Sequence, residues 1–584
     1  MSRLLFDLEA NGLTPDKVWC VSTLDVDTMK RKSYEPSELD AALVDLAAAD
    51  TLIGHNIMAY DLEVIKDLYG VDLYHKELID TLTLSRLYNP TREGGHSLEA
   101  WGYSLGYPKV EHEEWDAYSK DMLHRCEQDV ELNYKVYVKL NNLGRNFSQD
   151  SRDLEHRVAR IIDEQVKNGW LFKVKEAELL LAKIEDEVGE IEDTVRQTFL
   201  PKQKFVKTVT PKLRNNGELS KSGLTTEEYL ARRATKDTTP FDRTKTVIFN
   251  LASRNHIGEW LVDFSWKPTV FTPKSNKPEI NEKTLEGVDD IPEVALILHY
   301  LTIVKVRAFL TNWLSKVDYN DRLHCYVNTM GAVTGRMTHS DPNLGQVPSA
   351  KKLYGKECRS LFTVPEGYTL VGMDAAALEL RMLAHYVDVD TFTKAACEGT
   401  EADGTDVHSV NRDLAKLDTR DQAKTMYYAL IYGSGDAKMG SIINGSVKEG
   451  RELKALYFHK LPELGNLIER VREAAIKGYL KGIDGRLIKV RQIYSALNTL
   501  LQGGGAVVMK RALVILYDKA TKAGLDFKFV GNIHDEIQAE VADADVETYS
   551  AFALEAMVEA GEYYNMRYSL EGTVKSGASW ADTH

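Results

Sequence analysis

The stretches TLVGMD at residues 369–374 and KFVGNIHDEIQAEV at 528–541 decide the fold of this chain. Each has the apolar run or alternation of a β-strand, and each carries an aspartate where the strand ends or turns, Asp374 or Asp535. Two carboxylates at neighbouring strand ends form a ligand pair suited to Mg²⁺. On adjacent strands, such a pair can bridge two ions about 3.5–4 Å apart for in-line phosphoryl displacement. Strand-end aspartates are also common turn formers, so this spacing alone leaves a structural role open.

The composition indicates an ordinary globular protein of several domains. At 584 residues and roughly 100–200 residues per domain, about three or four domains are expected. No uninterrupted apolar run approaches the ~20 residues of a membrane span, and the N-terminus MSRLLFDLEA has no signal-peptide core. The five cysteines are scattered without a CxxC pair, which argues against a zinc site or a disulfide framework and favours a reducing cytoplasm.

The net charge of −15 would ordinarily lower the odds of a nucleic-acid partner. The distribution of the charge reverses that inference, because residues 1–150 alone carry a net charge of −12. Residues 441–530 carry +8, and residues 201–250 hold eleven Lys or Arg against five acids. Basic stretches of this kind indicate surfaces for a duplex or a triphosphate.

The apolar patterns predict an α/β domain followed by helical and mixed regions. Residues 1–145 alternate short strands with helices, and a helical pattern begins at Arg152 and stops at Gly169. Residues 200–250 lose periodicity, which predicts mobile loops. A long helix is expected near 495–523; its glycines 503–505 indicate either a close approach to the backbone or a break between two helices.

The segment RDQAKTMYYALIYG at 420–433 places two cations and two tyrosines on one side of a helix. Arg420, Lys424, Tyr428 and Tyr432 recur every four residues. The two cations repel each other mildly, and an anion bound between them on that face would make the arrangement favourable. A triphosphate suits the cations, and the tyrosines could stack on a base. A solvated basic turn followed by core aromatics is the alternative.

Five ordered segments resemble the motifs of family A DNA polymerases. DAAALELRMLAH at 374–385, RDQAKTMYYALIYG at 420–433 and VGNIHDEIQ at 530–538 resemble the three polymerase motifs. TGRMTHSDPNLGQVPS at 334–349 and ALNTLLQGGGA at 496–506 resemble two motifs that contact template and primer. The likeness is greatest to replicative polymerases of short-tailed bacteriophages and extends to the terminal SWADTH. It implies an α/β multidomain fold in which a ribonuclease-H-like 3′–5′ exonuclease domain precedes a right-hand polymerase.

The resemblance assigns the metal ligands of the polymerase site. Asp374, Asp535 and the Ala375 carbonyl would hold two Mg²⁺ ions, for which Mn²⁺ could substitute. Glu536 would be a nearby acid of lesser importance.

It also assigns the nucleotide and DNA contacts. Lys424 and Arg420 would clamp the triphosphate with help from His408, and Lys424 could donate a proton to pyrophosphate. Glu379 would occlude the space of a ribose 2′-hydroxyl, and Tyr428 would pack under the incoming sugar. The positions that would face the templating base, the primer or the template are Tyr432, Gly433, Arg336, Arg491, Asn498, Gln502 and His534.

The acids of the N-terminal block resemble the 3′–5′ proofreading exonuclease, which also uses two divalent ions. Asp7 and Glu9 are two apart on a strand and point to one face. Asp61 lies in HNIMAYD and Asp129 in HRCEQDVELN.

One position in this block departs from the pattern. Related polymerases carry a tyrosine four residues before the last aspartate, where this chain has Arg125; His124 has the spacing of the histidine-type subclass. Histidine can act as a general base near neutral pH. His124 is therefore the base, or the exonuclease is weakened, or another group substitutes; an active exonuclease is favoured.

The basic interval 201–250 is shorter than the thumb insertion by which the most similar phage enzymes recruit host thioredoxin. Dependence on thioredoxin therefore stays open. The interval is predicted to grip duplex DNA directly or to be a disordered basic loop. The cations concerned are Lys202, Lys204, Lys207, Arg232 and Arg233.

The resemblance thus predicts an exonuclease domain at 1–148, a thumb at 149–317, a palm at 318–386 and 511–584, and fingers at 387–510. The expected function is template-directed DNA synthesis with proofreading, for phage genome replication in the cytoplasm of an infected bacterium. Expected partners are primer-template DNA and deoxynucleoside triphosphates, with a phage helicase-primase and a single-strand binding protein as further candidates and no membrane. The rivals are a repair-type family A enzyme, a single-subunit RNA polymerase and an inactive DNA-binding subunit. Glu379 argues against the RNA polymerase, and the retained acids and cations argue against inactivity.

Overall fold

The structure, a computed structural model, describes residues 2–288 and 290–583. The chain divides into two compact units. The larger unit comprises Met1–Lys173, Lys316–Val347 and Arg359–His584, and the smaller one Val174–Ser315 and Pro348–Cys358.

The N-terminal part of the larger unit alternates strands and helices, as predicted. Its elements are β1 (Arg3–Ala10), β2 (Val18–Asp25), β3 (Arg31–Tyr34), α1 (Leu39–Ala48), β4 (Thr51–Gly54), α2 (Asp61–Tyr69), β5 (Glu77–Asp80), α3 (Thr81–Tyr88), α4 (Leu98–Leu105), α5 (Lys120–Leu143), α6 (Gln149–Asn168) and β6 (Trp170–Phe172). Short 3₁₀ turns occur at Pro36–Glu38 and Gly144–Asn146.

A five-stranded mixed sheet forms the centre of this part, in the order β3-β2-β1-β4-β5. β1 pairs antiparallel with β2 and parallel with β4, so it lies in the middle of the sheet. Its apolar residues Leu5, Phe6 and Leu8 are buried. Asp7 and Glu9, two residues apart, lie on one face of this strand, where Glu9 is buried and Asp7 is half-buried.

The smaller unit is mainly helical. Its elements are α7 (Val174–Thr198), β7 (Lys202–Val209), α8 (Thr226–Arg233), β8 (Phe241–Val247), α9 (Arg254–Asp263), α10 (Glu282–Leu285) and α11 (Glu293–Leu314). The prediction of loops throughout 200–250 is wrong, because β7 and β8 pair as an antiparallel ribbon with α8 between them. The cause is that this ribbon is mostly solvent-exposed, so the polar residues on its faces leave no apolar period to detect.

The C-terminal part begins with short strands and continues into a helix-rich region. Its elements are β9 (Arg322–Leu323), β10 (Tyr326–Asn328), β11 (Thr338–Ser340), α12 (Gly355–Ser360), β12 (Phe362–Thr363), β13 (Tyr368–Ala375), α13 (Leu378–Val387), α14 (Asp390–Cys397), α15 (Val407–Ala415), α16 (Arg420–Ile431), α17 (Asp436–Ile442), α18 (Val447–Lys460), α19 (Pro462–Ala475), β14 (Tyr479–Lys481), β15 (Leu487–Lys489), α20 (Ala496–Ala523), β16 (Phe527–Ile533), β17 (Glu536–Ala542), α21 (Val546–Tyr563) and β18 (Gly572–Gly577). Two further 3₁₀ turns are Leu344–Gln346 and Ile493–Ser495.

The two stretches that opened the sequence argument lie in one antiparallel sheet, in the order β16-β17-β13-β18. β13 is central and pairs with β17 from Tyr368↔Ala542 to Asp374↔Glu536. β16 and β17 are joined by the two-residue turn His534 and Asp535. The predicted strand and hairpin are therefore both confirmed, and they are neighbours.

Helix α20 runs unbroken through its three glycines, which decides between the two interpretations of that segment. A Cβ at Gly503 would lie 2.6 Å from Ile488 Cδ1, and one at Gly504 would lie 2.3 Å from Met382 Cε. The glycines therefore let side chains of α13 and β15 approach the helix closely.

Two helices are long and apolar enough to cross a membrane by length and composition, Glu293–Leu314 and Ile493–Ala523. The sequence expectation differed because it counted uninterrupted apolar runs, whereas these helices include a few charged residues. In the second helix 83% of the most apolar window is buried, as in the core helix of a globular protein, and in the first 33%.

Candidate functional site

Asp374 and Asp535 lie at the same edge of the C-terminal sheet. Asp374 is exposed near the end of β13, and the Ala375 backbone N–H donates to the Asp535 carbonyl oxygen at 3.0 Å. The Asp535 side chain is 29% exposed. Two accessible carboxylates on paired strands, with the Ala375 carbonyl beside them, are a donor set that fits hard divalent cations.

Glu536 lies opposite Asp374 on the neighbouring strand, but its side chain is directed away from the opening. It is buried, and its Oε1 accepts a hydrogen bond from Trp580 Nε1 at 2.7 Å and another from Gln538. Asp535, in the turn, is partly exposed, whereas Glu536, the first residue of β17, is buried. The predicted role of Glu536 beside substrate has no support in this geometry.

Arg336 links the two sides of the site. Its Nη2 lies 3.2 Å from Glu379 Oε1 and 3.6 Å from Asp535 Oδ1. Glu379 belongs to the first turn of α13, which starts three residues after β13 ends. The guanidinium therefore holds the predicted 2′-hydroxyl block next to a predicted metal ligand.

Asp406 holds the cationic face of α16 in place. Arg420 Nη2 donates to Asp406 Oδ2 at 2.9 Å, and Glu401 Oε2 lies 3.2 Å away. Asp406 also caps α15 by accepting from the backbone N–H groups of His408 and Ser409. Burial alone would raise the pKa of Asp406, but the hydrogen bonds from Arg420 and Ser409 outweigh it and hold that pKa well below its usual range.

His408 and Lys424 differ in access. His408 is buried, its Nδ1 has no hydrogen-bond partner among the described residues, and burial followed by the charge of Arg420 lowers its pKa. The imidazole is therefore neutral at physiological pH. Lys424 is exposed one turn beyond Arg420, which leaves its ammonium group accessible to an anion.

The two tyrosines lie on the same side at the end of α16, as their four-residue spacing predicts. The rings of Tyr428 and Tyr432 lie 6.4 Å apart with 26° between their planes. Burial, then the charge of Glu379, raises the pKa of both tyrosines. Gly433 follows at φ +73°, and a Cβ there would lie 2.0 Å from the Tyr494 carbonyl oxygen, so the chain must turn on a glycine at this point.

The predicted primer and template contacts lie in two places. Gln502 lies on α20 near Tyr432, where it lowers the tyrosine pKa that burial raises, and the buried Oδ1 of Asn498 has no hydrogen-bond partner among the described residues. His534 is exposed at φ +58° in the turn before Asp535 and lines a small cavity with Arg336. Arg491 is exposed ahead of α20.

A second group of acids lines a cavity of about 590 Å³ in the N-terminal part. Ligand atoms of Asp7, Glu9 and Asp129 lie within 4.8 Å of one another, close enough to share a metal ion. Asp61 lines the same cavity, and its Oδ1 accepts from the Leu8 backbone N–H at 3.2 Å. All four predicted acids are thus brought together from β1, α2 and α5.

Burial gives these carboxyl groups unusual pKa values. It raises the pKa of Glu9 to about 7, against the opposing charge of Arg125, and that of Asp61 to about 8. Burial and the charges of Asp129 and Glu9 raise the pKa of Asp7 well above its usual range. Acids crowded in a buried cavity favour a bound cation, and Asp129 fits one because its Oδ1 accepts no hydrogen bond from the described residues.

His124 is not brought to these acids. Its side chain is 59% exposed, its Nδ1 lies 3.9 Å from Glu127, and among the described residues it does not line the cavity. Arg125 and Lys109 reach the acids instead: Arg125 Nε donates to Glu9 at 3.1 Å, and Lys109 Nζ lies 2.6 Å from Asp129 Oδ2.

The basic ribbon of the smaller unit is partly neutralised by its own acids. Lys202 pairs with Asp263 and Lys204 with Glu259. Arg232 likewise pairs with Asp237. Among the described residues, Lys207 and Arg233 have no acidic partner.

Sequence reasoning missed Lys109, Asp406 and a buried ion cluster. Lys109 precedes four acids within 111–116, and Asp406 precedes a helix at the position of a cap; both signals are weak. In the cluster, Glu155 contacts Arg486 and Lys510 at 2.7 Å each. Glu155 is distant in sequence from both of its partners, which leaves no local signal for the pairing.

Comparison with known proteins bears on this arrangement. A family model described as DNA polymerase family A matches residues 224–582. The chain is 30% identical to the DNA-directed DNA polymerase of Escherichia phage T7 and 30% identical to that of Enterobacteria phage T3, in each case covering 100% of both chains. The fold is similar to a structure titled as the POL domain of Pol1 from M. smegmatis in complex with DNA primer-template and dNTP. The TM-score is 0.75 at 19% identity, over 99% of this chain and 95% of that one.

Proposed function

Because the chain belongs to DNA polymerase family A, we propose that it joins deoxynucleotides to the 3′-hydroxyl of a DNA primer as a template strand directs, releasing pyrophosphate. The observation that carries this proposal is Arg336, whose guanidinium lies within 3.6 Å of Asp535 and 3.2 Å of Glu379. A metal-binding acid and the acid that would exclude a 2′-hydroxyl are thereby part of one site.

Two divalent cations, Mg²⁺ or Mn²⁺ in its place, would be held by Asp374, Asp535 and the Ala375 carbonyl. When bound, they activate the primer hydroxyl and stabilise the charge that develops on the phosphate. Arg420 and Lys424 bind and orient the triphosphate. Lys424 is the group that can give a proton to the departing pyrophosphate.

The remaining residues choose the nucleotide and align it. Glu379 fills the space that a ribose 2′-hydroxyl would need, Tyr428 packs under the sugar, and the exposed ring of Tyr432 with Gly433 positions the templating base. Neutral His408 assists the triphosphate as a hydrogen-bonding group. Primer and template contacts come from Arg336, Arg491, Asn498, Gln502 and His534.

The N-terminal acids are proposed to form a 3′–5′ proofreading exonuclease. Support comes from the ligand atoms of Asp7, Glu9 and Asp129, which lie within 4.8 Å of one another in a cavity that Asp61 also lines. These four side chains would hold two divalent cations, which activate water to cleave the terminal phosphodiester.

The proposed setting is phage genome replication in the cytoplasm of an infected bacterium, with a helicase-primase and a single-strand binding protein as candidate partners. The proposed domains are an exonuclease at 1–148, a thumb at 149–317, a palm at 318–386 and 511–584, and fingers at 387–510. The alignment with the phage T7 relative runs over 720 positions, more than the 584 residues of this chain. The further proposal is that the shorter thumb interval 201–250 grips DNA without thioredoxin.

The test is a labelled primer-template incubated with Mg²⁺, with and without the four deoxynucleotides. With them the primer should lengthen, and without them it should shorten. D374N should abolish lengthening and leave shortening intact, whereas D129N should do the reverse. A D374N protein that still extends the primer would sink the polymerase assignment, and a D129N protein that still degrades it would sink the exonuclease assignment.

A further inference from the structure

Two cations stand inside the N-terminal acid cluster. Lys109 Nζ lies 2.6 Å from Asp129 Oδ2, and Arg125 Nε lies 3.1 Å from Glu9 Oε1 and 3.8 Å from Asp129 Oδ2. Both partner acids are proposed ligands of the divalent ions.

The segment that carries Lys109 is fixed against the domain. Arg125 Nη1 donates to the Val110 carbonyl at 3.3 Å, and its guanidinium lies 4.8 Å from the centre of the Trp115 ring. The Trp115 carbonyl accepts from Trp19 Nε1 at 2.8 Å. Lys109 is therefore held at the wall of the cavity. Its side chain is 26% exposed, whereas that of Asp129 is almost fully buried.

The charges in the cavity decide what this ammonium group does. Four ionised carboxylates would be neutralised by two divalent ions, but Lys109 and Arg125 already supply two positive charges. A cation at 2.6 Å from Asp129 Oδ2 repels a divalent ion that binds the same, almost fully buried, carboxylate. A divalent ion at Asp129 must therefore compete with the Lys109 ammonium group for that carboxylate.

We propose that Lys109 is a positioning residue of the exonuclease site that orients Asp129 and weakens the divalent ion bound there, so that the two ions bind with unequal affinity. This inference rests on the proposed exonuclease function. Arg125, which stands at the motif position of the tyrosine, lines the cavity, whereas among the described residues His124 does not.

The experiment counts Mn²⁺ bound to the full chain by electron paramagnetic resonance. The D374N/D535N background removes the polymerase-site ligands, so the remaining ions report on the N-terminal cavity. We expect two classes of Mn²⁺ whose affinities differ at least about tenfold, and K109M should tighten the weaker class by about tenfold. K109R keeps the charge and should behave as the background does. Lys135 on α5 is partly exposed, pairs with Glu131 and does not line the cavity among the described residues, so K135M is the matched control for loss of one lysine.

Primer degradation separates failure of this inference from failure of the proposed function. If the background protein degrades the primer and K109M binds Mn²⁺ with unchanged or weaker affinity, the role of Lys109 is overturned and the exonuclease stands. If D7N and D129N do not alter Mn²⁺ binding and no degradation occurs, the exonuclease and the role of Lys109 are both rejected. A fall in the half-saturating Mn²⁺ concentration for degradation by K109M, with K109R unchanged, would support the proposal independently.

Discussion

Arg420 Nη2 donates to Asp406 Oδ2 at 2.9 Å, and the same carboxylate caps helix α15 one residue before that helix begins. The cationic start of α16 is thus fixed by a side chain from a different helix. Asp406 lies two residues before His408, so a single carboxylate aligns two groups proposed to meet the triphosphate.

Asp406→Asn should raise KM for deoxynucleoside triphosphates about tenfold, because a hydrogen bond to a charged group contributes ~1.5 kcal/mol or more. Asparagine still caps a helix, so thermal stability should change little. Steady-state primer extension measures the effect, and Asp413→Asn, which alters the exposed pair with Arg412, is the control. An unchanged KM would contradict the positioning role of Asp406.

Gly433→Ala should destabilise the chain and impair extension. The new Cβ would meet the Tyr494 carbonyl at 2.0 Å in a left-handed conformation, a strain of about 1–3 kcal/mol that must be relieved by moving the end of α16. Thermal unfolding and the KM for nucleotide report the two effects. Gly435→Ala is the matched control because its Cβ would meet nothing within 4 Å, and equal losses in both variants would refute the argument.

His124→Ala should leave primer degradation within about twofold of the parent, instead of the ~10²–10⁴-fold loss expected of a general base. The reason is that the His124 side chain is 59% exposed and contacts Glu127 rather than the four acids. Single-turnover degradation of a labelled primer measures this, with Asp129→Asn as the inactive reference. A hundredfold loss would restore His124 as the base.

Glu155→Gln should lower the free energy of unfolding by about 3–5 kcal/mol, because buried Lys510 loses its countercharge and Arg486 keeps only Asp484 as an acidic partner. Arg486 and Lys510 each contact Glu155 at 2.7 Å, and all three side chains are at most 3% exposed. Denaturant unfolding provides the measurement. Glu164→Gln on the same helix removes a half-exposed partner of Arg160 and should cost less than about 1 kcal/mol; a similar cost for both would contradict the prediction.

The double substitution of Lys207 and Arg233 by alanine should weaken duplex binding. It should also reduce the slope of log binding constant against log salt concentration by nearly two, about 0.9 for each lost phosphate contact. These two cations have no acidic partner among the described residues of the smaller unit, whereas Lys202 and Lys204 are paired with Asp263 and Glu259. Alanine at 202 and 204 should therefore change the slope less. Binding titrations at several salt concentrations measure these slopes.

In a separate primer-extension assay, added thioredoxin should leave the length of the extension products unchanged.

Local pattern was sufficient where one face of an element is buried. The strands of Asp7 and Asp374, the hairpin around Asp535 and helix α16 were all predicted, since burial of one side imposes a period on the sequence. The ribbon at 202–247 was missed because both of its faces are largely solvated. The three glycines of α20 could not be interpreted locally, because the partners that approach them, Ile488 and Met382, come from other elements.

The sequence by itself determined the family through its ordered motifs. The same resemblance named the candidate residues of the polymerase site and the four acids of the N-terminal block. Only the tertiary structure decided which groups meet. It turned Glu536 to the interior, left His124 outside the cavity and brought Lys109 to Asp129 and Asp406 to Arg420. The physical reason is that an ion pair or an orphaned carboxylate depends on distances across the fold, and nothing in the local chain records a partner that is brought near only by packing.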